Sequence, residues 1–143
     1  MFFQNRDDGR RFFFQVWNNF RKGNRQLEPL GELVLDVILS HPEYHQYLAN
    51  EEDAVTADFM PESGQTNPFL HMGMHIAIKE QVGSNRPEGI STLYQEFLNS
   101  TWQDSHELEH GMMECLGEIL WQAQRNNALP DEQAYMECLK RLK

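Results

Sequence analysis

Cysteine is scarce in this chain: Cys115 and Cys138 are the only two in 143 residues, too few for a disulfide framework. Both are expected as reduced thiols in a cytoplasmic protein. Basic residues are scarce too. Twelve Lys and Arg stand against 22 Asp and Glu, a formal charge of -10, which leaves little of the counterion release that drives nucleic-acid binding and disfavours anionic membranes. No apolar run approaches the length of a bilayer span. The first residues, Met1 to Asp8, lack the basic, apolar and small-residue segments of a secretory signal. Phosphate-cradling glycine loops, internal repeats, low-complexity tracts and linkers are also missing. The readings left open are a metal site, an interaction surface and a hydrolase, with neither nucleic acid nor membrane as partner.

What the chain does have is apolar and aromatic residues in helical rhythm. Hydrophobic residues make up 40%, with nine Phe and three Trp, which is enough to bury a core within one domain spanning residues 1–143. Phe13, Val16, Trp17 and Phe20 predict a helix over 7–22, stopped by Gly23 and Asn24. Phe12 and Phe14 widen its face, so that it is either core or half of a homodimer contact. Leu30, Leu33, Val34, Val37 and Ile38 predict a second helix after Pro29, and Pro42 opens a short segment over 43–49. Residues 50–66 read as a connection with one short extended segment near 57–60. Asn67-Pro68 starts a helix to about Gly83, and Ile90 to Thr101 forms another. Asp104, followed three residues later by Glu107, caps the longest helix, 105–125. Its apolar residues, from Leu108 to Leu120 and Trp121, cover most of its circumference and mark it as central. Pro130-Asp131 starts the last. The expected fold is all-α, a single-domain helical bundle of about six helices.

All six histidines fall into three His-x-x-x-His pairs: His41/His45, His71/His75 and His106/His110. Four-residue spacing puts both rings of a pair on one helical face, and neutral imidazole is the commonest protein ligand for transition metals. Alternating helix directions would bring the 71/75 and 106/110 pairs to one end of a bundle, with 41/45 joining them if the second helix runs the opposite way. The expected ligands of a zinc or iron ion are therefore His71, His75, His106 and His110, with His41, His45 and Glu114 as further candidates and Glu107 and Glu80 behind them. Pro42 weakens the 41/45 pair, because shared facing requires a helix running through both residues.

Several plainer readings compete. Histidines at helix ends serve as hydrogen-bonded caps and core residues, which would make this a structural or interaction protein with an aromatic dimer contact. His106 to His110 also fits His-Glu-x-x-His, in which Glu107 would activate a zinc-bound water. Downstream there is neither a third-ligand motif nor a strand edge for a peptide. Ferritin-type di-iron chemistry wants Glu-x-x-His on two helices, and only Glu107 to His110 supplies it. Cys115 lies in an apolar helix and reads as a packed small residue rather than a nucleophile. Met72, Met74, Met112 and Met113 could offer soft ligands to copper(I), but methionine at helical spacing is usually core.

The motif Asn67-Pro68-Phe69-Leu70-His71 through His75 to Glu80-Gln81 is preceded by His41-Pro42-Glu43-Tyr44-His45 and followed by His106, His110, Met113-Glu114-Cys115-Leu116 and Trp121 to Arg125. Together with Arg11-Phe12-Phe13 and Trp17 it resembles the bacterial DUF1841 family of uncharacterised proteins over nearly the whole chain. The resemblance implies no activity. It also implies that position 107 is not always glutamate, which counts against the peptidase reading.

Overall fold

Every element among the described residues is helical, and each begins or ends where local chemistry requires. The computed structural model describes residues 6–23, 28–49, 51, 67–102 and 104–142; the extended segment expected near 57–60 lies outside them. Helix α1 (Arg6–Arg21) stops ahead of Gly23, whose φ of 86° suits glycine and lets its N–H donate to Phe20 O at 3.0 Å. Helix α2 (Pro29–Leu39) begins on its proline, and a 3-10 helix (Pro42–Leu48) follows directly. Helix α3 (Pro68–Ser84) is capped by Asn67, whose Oδ1 accepts from the backbone N–H groups of Phe69 and Leu70 at 3.0 and 3.1 Å.

Helix α4 (Ile90–Ser100) follows a turn in which Asn85 takes a φ of 55° and its Oδ1 accepts from Gly89 N at 3.1 Å. Helix α5 (Ser105–Arg125) is capped by Asp104, whose side chain accepts from His106 N at 2.9 Å. Asp131 does the same for helix α6 (Glu132–Lys140) through Ala134 N at 3.1 Å.

The chain divides into two compact units, Met1–Ile76 and Ala77–Lys143. In the first, Phe13, Phe14 and Val16 of α1, Val34, Leu35, Val37 and Ile38 of α2, and Phe69, Met72 and Ile76 of α3 form one buried cluster. Phe69 meets Phe13 edge-on, with ring centroids 5.8 Å apart. The aromatic face of α1 is therefore occupied within its own unit, with Phe12, Trp17 and Phe20 packed partly buried against the cluster.

In the second unit Ile78, Ile90, Leu108, Met112, Met113, Leu116, Ile119, Tyr135 and Leu139 are buried. The Tyr135 hydroxyl donates to Gln81 Oε1 at 2.7 Å, and burial pushes its pKa up, so it stays a neutral donor. Helix α5 is less enclosed than its apolar residues predict. Leu120 and Trp121 are exposed, and Trp121 instead lies beneath the Arg125 guanidinium one turn on, 5.2 Å from its ring centroid.

One expectation is overturned. Cys115 and Cys138 form a disulfide, with Cα atoms 5.8 Å apart where α5 packs against α6. A count of two cysteines says nothing about whether they meet, and here the α5–α6 hairpin sets them opposite each other. The argument from thiols to a reducing compartment loses its footing with it. Among the described residues, no helix is long and apolar enough to cross a membrane.

Closing a loop of 23 residues removes chain entropy from the unfolded state worth about 3 kcal/mol. Thiol titration of denatured, unreduced protein should find no free thiol. The Cys138→Ser variant should unfold at lower denaturant, with a loss of about 3 kcal/mol. An unchanged midpoint would mean that the bridge adds nothing.

Candidate metal centre

The geometry of the first unit begins at the end of α2, where the last carbonyls of a helix have no partners within it. The Ser40 hydroxyl donates to Asp36 O at 2.8 Å. His41 Nδ1 donates to Val37 O at 2.7 Å, and His45 Nε2 donates to Ile38 O at 2.9 Å. A carbonyl can only accept, so each bond fixes a proton on the nitrogen that makes it. For His41 this leaves the lone pair of the neutral ring on Nε2, an atom shut off from solvent.

The 41/45 pair separates here. His41 is the N-cap of the 3-10 helix, with φ of -127°, so no helix runs through both residues and the four-residue spacing loses its meaning. The His45 ring lies against Trp17, with centroids 4.5 Å apart, and its bond to Ile38 O makes it a cap of α2. The His41 ring turns instead toward α3.

On α3, His71 and His75 keep the shared face that their spacing predicts, with ring centroids 4.9 Å apart. His41 lies 5.0 Å from His71 and 4.8 Å from His75, so the three centroids form a nearly equilateral triangle. A ring nitrogen at zinc-ligand distance puts its centroid about 3.2 Å from the metal, and tetrahedral placement then separates centroids by about 5 Å. The triangle has that size. One ligand nitrogen from each ring lies within 4.8 Å of the others. His41 and His75 are buried and His71 is half-buried.

Tyr44, which the sequence reading passed over, stacks on His41 at an interplanar angle of 8° and approaches His71 with centroids 5.9 Å apart. Burial, then the charge of Glu43, pushes its hydroxyl pKa up, so Tyr44 stays protonated beside the rings. Met72 is buried in the core.

The second unit holds His106 and His110 on the opening turns of α5, with ring centroids 4.4 Å apart. Glu107 Oε1 stands 3.7 Å from His110 Nδ1, and one donor atom from each of the three residues lies within 4.8 Å of the others. Glu114 is exposed and Glu80 half-buried, and neither joins this group or the triad. Burial pushes the Glu80 carboxyl above its ordinary pKa.

A family model described as "Domain of unknown function (DUF1841)" matches residues 5–141. The chain belongs to the DUF1841 family. No curated protein and no solved structure matches it.

This DUF1841 member also carries a buried carboxylate that the sequence reading missed. Glu109 is 1% exposed, and its Oε2 accepts from Lys79 Nζ at 3.1 Å and from the Tyr94 hydroxyl at 2.9 Å. Burial and the Glu109 charge push the Tyr94 pKa up, which keeps it a donor. The sequence did hold a signal. Glu109, Met112, Met113 and Leu116 share one helical stripe, and a carboxylate inside an apolar stripe requires a counter-charge.

Removing Lys79 takes one donor from that carboxylate, so Lys79→Met should cost about 1–3 kcal/mol in denaturant unfolding. An unchanged unfolding midpoint in Lys79→Met would show that this ion pair adds nothing.

Proposed function

We propose that this protein binds a transition metal, zinc or iron, through His41, His71 and His75. The size of the ring triangle carries the reading. Three imidazoles from two separate segments stand at the separation a tetrahedral metal imposes, and one of them has its tautomer set by a backbone carbonyl so that Nε2 is the donor. Metal-bound histidines usually donate their other ring N–H in this way, which orients the ring and raises its basicity.

The donor set favours some metals over others. Three neutral nitrogens suit zinc and borderline first-row metals, whereas magnesium and calcium want oxygen. The structural alternative is strong for His45, whose cap and Trp17 contact account for it, and weaker for His41, whose ring stands in the triangle with His71 and His75. The peptidase alternative needs Glu107 as a base beside the metal, whereas its grouping with His106 and His110 casts it as a ligand.

Elemental analysis of protein purified without an affinity tag tests the reading. Wild type should carry stoichiometric zinc or iron, and His71→Gln, at the half-buried corner, should lose it while keeping its circular dichroism. Chelator should lower the melting temperature of wild type and leave His71→Gln unmoved, since only a ligand bound to the native state adds stability. A metal-free wild type with the same fold would leave the interaction reading in its place.

A further inference from the structure

We propose that the first two turns of α5 form a second, solvent-accessible metal site, with His106 and His110 as nitrogen ligands and Glu107 as the carboxylate. This does not rest on the triad holding an ion. Within the second unit the three side chains satisfy the geometric requirement themselves. The two rings are one turn apart on one face and edge to face at 68°, with centroids 4.4 Å apart. Right-angled neighbouring positions on a six-coordinate metal put imidazole centroids about 4.5 Å apart, so the pair fits adjacent corners of an octahedron without a change of backbone. The Glu107 carboxylate is already 3.7 Å from His110 Nδ1, a distance from which a small rotation brings an oxygen into the same shell.

The helix holds the pair in place. Asp104 accepts from His106 N and closes the first turn, while Leu108 and Met112 on the same helix are buried. Two ligands on a formed helix need no further ordering, so binding is not charged with that entropy. One effect opposes a cation: the N-terminal end of a helix carries partial positive charge worth about 0.3–1 kcal/mol. The Glu107 carboxylate within the shell and the chain's formal charge of -10 act against it.

The chemistry of the site differs from that of the buried triad. Both rings are half-buried and Glu107 is 62% exposed, so water reaches the site. Two imidazoles and one carboxylate select divalent nickel, copper, cobalt or zinc over calcium and magnesium. Such a site takes up and releases metal in response to the free ion.

Calorimetric titration of the full chain with nickel(II) alone, in a buffer that does not chelate, tests this. Wild type should take up nickel. His106→Gln, His110→Gln should lose that uptake with the circular dichroism and melting temperature unchanged, and Glu107→Gln should weaken it about tenfold, as expected for loss of a supporting ligand. The His71→Gln variant should retain it, which separates this site's failure from that of the triad. Absence of nickel uptake by wild type, uptake undiminished in the double variant, or its disappearance in His71→Gln would each overturn the proposal.

Discussion

The candidate centre depends on one hydrogen bond, from His41 Nδ1 to the carbonyl of Val37. That bond does two things. It satisfies a carbonyl that the end of α2 would otherwise leave bare, and it commits the imidazole to the tautomer whose lone pair sits on the far nitrogen. Because the acceptor is backbone, the assignment survives any side-chain substitution that leaves the end of α2 intact. A residue that looks like a helix cap is thereby also a pre-set ligand, and its two roles use different atoms. His45 shows the contrast: its bond to Ile38 O is a cap as well, but its ring is spent against Trp17 rather than turned toward α3.

Pro42 produces this division. It excludes the helical geometry that would carry α2 onward, so the chain breaks at His41 and resumes as a tighter 3-10 segment. Helical spacing was a sound guide wherever a helix ran through both histidines, as in α3 and α5, and there the rings stand one turn apart as the sequence implies. It failed at 41/45 because the rule presumes continuity. The element boundaries were legible for a related reason: Asn67-Pro68, Asp104, Asp131 and Gly23 act within a few residues of themselves, so their effects do not wait on tertiary structure.

What the sequence hid was contact between segments far apart along the chain. Nothing in the spacing of Cys115 and Cys138 says that α6 folds back on α5, and the bridge follows only from that packing. Nor does any local pattern couple Lys79 to Glu109 or Tyr94. Glu109 was nonetheless visible as an anomaly, a carboxylate in a core stripe, and such an anomaly implies a partner without identifying it. Trp121 erred in the other direction. Its size suggested burial, yet an indole can sit exposed when a neighbouring guanidinium covers its face.

Burial of polar groups separates the two histidine groups chemically. His41 and His75 are both 1% exposed. The three rings of the triad stand about 5 Å apart, centroid to centroid. His106 and His110 are half-buried. Their claim to metal rests on geometry and on the carboxylate beside them, which is a different argument and fails under different conditions.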